Sequence, residues 1–214
     1  STLNTLNTMS FRTARIYQFI YDEDQVKKFA QLIDTEHTVQ QIFITSRTKY
    51  GAKADTRYMS TQTLKNVTPE EYLRCLKSFQ VEEGLYSEEP TTMVLYGTTN
   101  TRDERKAGHA LTLDLINRCF QGTNTVDLHG TVISKLMATR GDVRVISIDI
   151  DEKKEYPEVA EFLKQTGVPP LAVIETHGGY HVLLSSYAGF LMKQFAQKFT
   201  IGDVSCPIPG TYQG

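Results

Sequence analysis

The chain contains no tryptophan, only three cysteines and seven prolines, and no large excess of either charge sign in its 214 residues. Cys75, Cys119 and Cys206 are odd in number and far apart, with no C-x-x-C spacing. That usage argues against both a secreted disulfide framework and a zinc ribbon, and it fits a reducing cytoplasm. Proline and glycine are too sparse for a collagenous or low-complexity chain. No apolar run approaches the roughly 18 residues of a membrane span, and the opening Ser-Thr-Leu-Asn-Thr-Leu-Asn-Thr lacks the basic and apolar segments of a signal peptide. Neither membrane insertion nor export is expected. With 23 Lys and Arg against 25 Asp and Glu, the net charge of −2 exerts no global pull on polyanions. Any nucleic-acid or phosphate site must therefore be local.

What remains is an ordinary globular composition, 40% hydrophobic and 22% charged. A chain of this length buries roughly 70% of its unfolded surface, enough for one large core or two small domains in contact without disulfides or structural zinc. Residues 1–10, small and polar without a period, read as a disordered leader. The end at Pro-Gly-Thr-Tyr-Gln-Gly, just after an apparent strand, reads as the edge of a fragment of a longer protein.

Apolar spacing at Val26, Phe29, Ala30, Leu32 and Ile33 predicts a helix over 24–34, with Asp22 or Asp24 as its cap. A strand is expected over 40–45. Thr68-Pro69-Glu70-Glu71 combines an N-cap, a first-turn proline and a capping-box glutamate ahead of Tyr72, Leu73, Leu76 and Phe79. A strand over 91–96 is followed by a second capping-box pattern, Thr101-Arg102-Asp103-Glu104, and a long helix carrying Ala107, Leu111, Leu115 and Ile116. Residues 130–139 read as a helix with Gly141 as its C-cap, 143–151 as the strongest strand, and Pro157 to Gly167 as another helix. Residues 171–176 and 180–185 are two apolar runs joined by His177-Gly178-Gly179, a tight hairpin in which glycine is expected at positive φ, and 188–199 reads as a final helix. The hairpin forces an antiparallel pair, so the fold class is α+β with a mixed or antiparallel sheet.

The candidate chemistry begins in Ile146-Ser147-Ile148-Asp149-Ile150-Asp151. The strand period of two places both carboxylates on one face and the isoleucines on the other, about 6 to 7 Å apart. Two like charges so close raise each other's pKa unless a cation lies between them, and oxygen-only ligation suits Mg²⁺ or Mn²⁺. The plainer alternative is a strand that ends in a solvated turn. Thr176-His177-Gly178-Gly179-Tyr180-His181 puts a hydroxyl, two imidazoles and bare backbone N–H groups at one hairpin tip, a combination that suits phosphate as well as an ordinary turn. A third carboxylate, Asp203, precedes Pro207-Ile208-Pro209-Gly210-Thr211.

Taken in order, the hydrophobic strand with its D-x-D, the glycine–histidine hairpin and the later aspartate resemble the archaeo-eukaryotic primase superfamily. The match is to its primase-polymerase branch, which includes plasmid-, phage- and CRISPR-associated enzymes. It spans about residues 90–214 through Asp149 and Asp151, then Thr176, Gly178, Gly179 and His181, then Asp203, with His177 where many relatives carry Arg or Lys. The resemblance implies an RRM-like catalytic sheet packed against a second α/β module, the two fused over residues 11–214. It implies that Asp149, Asp151 and Asp203 are catalytic ligands of two divalent ions, Mg²⁺ or Mn²⁺, and that Thr176, His177, Gly178, Gly179 and His181 hold the incoming nucleoside triphosphate. The implied partners are a single-stranded DNA template and primer, together with further domains or replication or CRISPR proteins.

Two basic clusters stand apart from these motifs. Arg102, Arg105 and Lys106 crowd a helix start, where the dipole disfavours cations unless phosphate is bound. The strand, Asn100-x-Arg102 turn and helix are also similar to a segment that precedes the first motif in that family, which implies contact with template or nucleotide phosphate; with Asp103 and Glu104 interleaved, the alternative is a solvated charged face. Arg47, Lys49, Lys53 and Arg57 alternate with Tyr50 and Tyr58, as suits single-stranded nucleic acid and equally an exposed loop. The reading that emerges is template-directed nucleotidyl transfer. Its alternatives are a D-x-D metal-dependent glycosyltransferase and a non-catalytic nucleic-acid-binding α+β module.

Overall fold

The computed structural model describes residues 16–17, 19–33, 39–79, 81–82, 92–122 and 128–211, so the expected leader at 1–10 lies outside it. A short strand, β1 (Ile16–Tyr17), precedes Asp22, whose carboxylate accepts the N–H groups of Asp24 and Gln25 and opens α1 (Glu23–Leu32). Of the two possible caps, Asp22 is the one used. Strands β2 (Val39–Ser46) and β3 (Thr56–Lys65) form a long antiparallel hairpin whose tip holds a 3-10 turn, Thr48–Tyr50, closed by Gly51 at φ 98°. The capping box forms as read: Thr68 accepts from the Glu71 N–H and the Glu71 carboxylate accepts from the Thr68 N–H, starting α2 (Pro69–Lys77) over buried Tyr72, Leu73 and Leu76. Strand β4 (Val81–Glu82) pairs with β1, and β5 (Met93–Gly97) joins β2.

The second capping-box pattern works differently. Residues 101–103 are tied to 139–141: the Gly141 N–H donates to the Thr101 carbonyl and the Asp103 N–H to that of Thr139. Thr101 therefore cannot enter a helix, and Asp103, accepting from the Lys106 N–H, caps α3 (Glu104–Phe120). Gly141 is absent from the positive-φ residues and is no left-handed cap for α4 (Leu128–Ala138); a Cβ there would collide with the Thr101 hydroxyl.

The carboxy-terminal half runs β6 (Val145–Ile150), α5 (Tyr156–Thr166, ended by Gly167 at φ 70°), β7 (Ala172–Glu175), β8 (Tyr180–Ser185), β9 (Thr200–Gly202) and β10 (Cys206–Pro207). Between β8 and β9 the expected helix over 188–199 is instead a 3-10 run, Ser186–Phe195. Gly189 and the surrounding Ser and aromatic residues are weak α-formers. Two four-stranded sheets result, ordered β10-β5-β2-β3 and β7-β8-β6-β9, and every strand pair is antiparallel. The class is α+β. No helix among the described residues is long and apolar enough to cross a membrane.

Strand β6 is buried on both faces. Ile146, Ile148 and Ile150 pack with Val182, Leu184, Val159 and Met192 in one core. Val145, Leu183 and Ile174 join the other core, which contains Phe29, Tyr72, Leu95, Cys206 and Ile208. Burial, reinforced by Asp149, pushes the Cys206 thiol from its ordinary 9.0 up to about 12. A folded-state pKa raised above the unfolded one contributes stability that is complete below pH 9 and is lost as pH rises toward 12. Unfolding free energies from urea titrations at pH 8 to 11 should therefore fall, by roughly 1 kcal/mol per pH unit at the steepest, and Cys206→Ala should flatten the slope. A parent-like slope in the variant would refute this assignment.

Candidate active site

Strand register builds the centre of the site. Asp149 on β6 lies directly opposite His181 on β8, so the two side chains share a face, and His181 Nε2 stands 3.2 Å from the Asp149 carboxylate. On the other side of the ring, His181 Nδ1 is 3.3 Å from Ser147 Oγ, and Ser147 is fully buried. A carboxylate only accepts, so Nε2 carries the hydrogen, Nδ1 is the acceptor, and the Ser147 hydroxyl donates to it. Burial lowers the His181 pKa below its usual value, against the upward pull of Asp149. The ring is thus a neutral donor pointed at Asp149. Ser147 has no exposure from which to act as a nucleophile.

The β7–β8 turn closes on this pair. The Thr176 N–H donates to the Gly179 carbonyl at 2.9 Å, and the Gly179 N–H donates to Thr176 Oγ1 at 3.0 Å. The expected positive φ is not found at Gly178 or Gly179. Glycine is required for a different reason: Gly179 lies so close to the end of β6 that a Cβ would collide with the Ile150 carbonyl. This contact holds the turn beside Asp151. His177, exposed at the tip, meets Tyr50 edge-on with 5.7 Å between ring centres.

That aromatic contact brings in the β2–β3 loop. Arg47 donates to the Tyr96 hydroxyl at 2.9 Å and lies 3.7 Å from Asp55, which also accepts the Thr48 N–H. Tyr96 stacks on Phe43, and burial raises its pKa to about 12, so it remains a hydroxyl. Lys49 lies over the Tyr50 ring at 5.1 Å. The outcome is a cleft of about 180 Å³. Asp149 and Asp151 contribute the acids, Arg47 and Lys49 the cations, Tyr50 and Tyr96 the aromatic wall, and Thr176, Gly178, Gly179 and His181 the hairpin side, while Ser205 closes the rim.

The third expected carboxylate is elsewhere. Thr200, not Asp203, lies opposite Asp149, so Asp203 falls three residues farther along, about 10 Å in strand rise. Its carboxylate accepts from Arg102 at 2.7 Å and from Asn100 at 3.0 Å, with Arg140 at 3.6 Å. Asp203 and Arg102 side chains are 1% and 3% exposed. Among the described residues, no three His, Cys, Asp or Glu side chains converge to hold a metal ion. Asp149 and Asp151 line one cleft and are oxygen donors of the type a hard divalent cation takes, whereas Asp203, paired with Arg102, does not line it, so three carboxylates do not meet around a bridged pair of ions.

The basic cluster at α3 divides as well. Arg102 precedes the helix and is engaged with Asp203, while Arg105 and Lys106 are exposed, Lys106 near its cap Asp103 at 3.8 Å. None of the three lines the cleft. Lys53 is exposed, and the side chains of Arg57 and Tyr58 lie outside the described residues. Sequence reasoning missed the structural role of Asn100, expected with Arg102 at a phosphate: its side chain accepts the N–H groups of Arg144 and Val145 and donates to the Val145 carbonyl, pinning the start of β6. It also missed Ser147 and Tyr96. Period-two alternation could have paired Ser147 with Asp149, but the contact of Asn100 with β6 spans 45 residues and leaves no local pattern. No protein-family model, curated protein or solved structure matches this chain.

Proposed function

We propose that this chain is a template-directed nucleotidyltransferase of the primase-polymerase kind, acting on nucleoside triphosphates with a single-stranded DNA template and primer. One observation carries the reading: carboxylates and cations from distant segments share one small cleft. A bare cation or a bare anion is satisfied by one sign of charge, whereas a metal–triphosphate complex needs both. Asp149 and Asp151 would hold a Mg²⁺ or Mn²⁺ ion. When bound, such an ion supplies Lewis-acid stabilisation of phosphoryl oxygens and lowers the pKa of an attacking hydroxyl.

The chain's own groups do the positioning. The Gly178 backbone N–H at the hairpin tip is a donor for phosphate oxygens, and His181 Nε2–H, which holds the Asp149 carboxylate, would be shared with a phosphate oxygen once the metal complex is bound. Arg47 and Lys49 oppose the charge that accumulates on the leaving pyrophosphate. The β-α-β-β-(3-10)-β connectivity, with strand order β7-β8-β6-β9, agrees with the RRM-like sheet that the family resemblance implies. A glycosyltransferase D-x-D has no comparable use for the histidine hairpin beside it. The buried Arg102–Asp203 pair favours one competing reading, a nucleotide- or nucleic-acid-binding module without catalysis, because it removes the third acid.

Incubation of the purified chain with a primed single-stranded template, Mn²⁺ and labelled triphosphates separates the two. Extension products are expected; triphosphate binding with no product under any template or metal condition would establish the non-catalytic module instead. His181→Ala should raise the KM for triphosphate about tenfold, the equivalent of one charge-assisted hydrogen bond, with template affinity unchanged. Equal losses for both ligands would remove His181 from the phosphate site.

A further inference from the structure

Strand β7 is an edge of its sheet, and no strand pairs with its outer side among the described residues. The Thr176 N–H to Gly179 bond sets the alternation of the hairpin ladder, so Ile174 bonds to β8 while Val173 and Glu175 direct their N–H and C=O groups outward. Leu171 and Val173 are 44% and 40% exposed, which is unusual for apolar residues on an unprotected edge. No Pro or bulge interrupts Ala172–Glu175.

Both faces of this strand border open grooves. On one side a groove of about 620 Å³ runs between β7 and α1, walled by Phe29, Leu32, Ile174 and Tyr21. On the other a groove of about 510 Å³ runs between β7 and the end of α5, walled by Leu163, Val168, Pro169 and Val182. Val173 lines both. Each groove also carries an exposed lysine, Lys28 in the first and Lys164 in the second, with no ionic partner among the described residues. The one acid on the strand, Glu175, is neutralised by Lys153 at 2.7 Å.

We infer that β7 is a docking edge for an extended peptide of a partner protein, which adds as a further strand, sets alternate apolar side chains into the two grooves, and presents acidic residues to Lys28 and Lys164. Main-chain bonds to Val173 and Glu175 supply register, and pockets on alternating faces supply selectivity. The inference does not depend on the proposed nucleotidyl transfer. Single-stranded nucleic acid is the weaker occupant, because each groove offers one lysine and the first also carries the Glu175 carboxylate.

The probe is a fluorescent acetylated heptapeptide, Asp-Asp-Val-Leu-Val-Asp-Asp, titrated into the full chain and read by anisotropy. Saturable binding is expected, weakened about tenfold by Val173→Pro, which deletes an outward N–H without touching the β8 ladder. Lys28→Glu with Lys164→Glu should weaken it similarly and reduce its salt dependence. Should Val173→Pro misfold, the same peptide N-methylated at its central leucine tests the bond from the ligand side. Absence of saturation, equal binding of the methylated peptide, or displacement by oligo(dT) would each overturn the proposal. So would a concentration-dependent dimer through this edge in sedimentation, since a second copy would then be the occupant.

Discussion

Asp149→Asn should reduce nucleotide incorporation by about a thousandfold or more while shifting the urea midpoint by less than the equivalent of about 1 kcal/mol. The asymmetry follows from the environment of the residue. The Asp149 side chain is 32% exposed, and its one polar partner among the described residues is His181 Nε2–H. The asparagine Oδ1 accepts the same hydrogen bond in the same volume, so the fold loses almost nothing. The cleft, however, loses one of its two acids, and with it most of the affinity for a hard divalent ion, since a neutral amide is a far poorer ligand than a carboxylate. Asp151→Asn is expected to act in the same direction, because Asp151 lines the cleft beyond the end of β6 and is exposed. Primer extension in Mn²⁺ with purified, folded variant is the measurement. Full-length product from Asp149→Asn would end the nucleotidyltransferase reading, and a matched loss of stability and activity would reduce the carboxylate to a structural role.

Arg102→Ala should behave in the opposite way, costing about 3 kcal/mol of stability because it leaves the buried Asp203 carboxylate with only the Asn100 amide and the exposed Arg140, 3.6 Å away. Both partners are almost completely enclosed, and Asp203 is joined to Asn100, which itself anchors the start of β6. The loss should therefore spread to the strand that carries Asp149. Desolvation makes the complete pair far less valuable than its breakage suggests, so Arg102→Met combined with Asp203→Leu should recover most of the stability. Denaturant titration of the single and double variants reads the coupling directly. A thermally intact Asp203→Asn that has lost only incorporation would show instead that Asp203 works as a metal ligand and that its pairing with Arg102 is incidental.

Much of the scaffold could be read along the chain. The Thr68 capping box, the Gly167 stop, the two strands joined at residues 176–179 and the isoleucine face of β6 all appear within a residue or two of their expected places. Each depends on groups within about four positions of one another: a side chain meeting an amide one turn away, or alternation along a single strand. The misreadings have the opposite character. Thr101 failed as a cap, and Gly141 as a C-cap, because the segment that enters α3 and the segment that leaves α4 press against each other. Gly179 was expected for its dihedral freedom and is needed for a backbone approach that no neighbouring residue reveals.

Local pattern was therefore enough to establish an α+β chain with a two-aspartate strand end and a glycine–histidine turn, since helix caps and strand alternation are properties of adjacent residues. Folding alone assigned partners across the chain. It set His181 against Asp149, carried Arg47 and Lys49 to the same cleft from about 100 residues away, and left Asp203 with Arg102. Strand register is the reason: Thr200 rather than Asp203 stands opposite Asp149, and a buried carboxylate takes the nearest guanidinium.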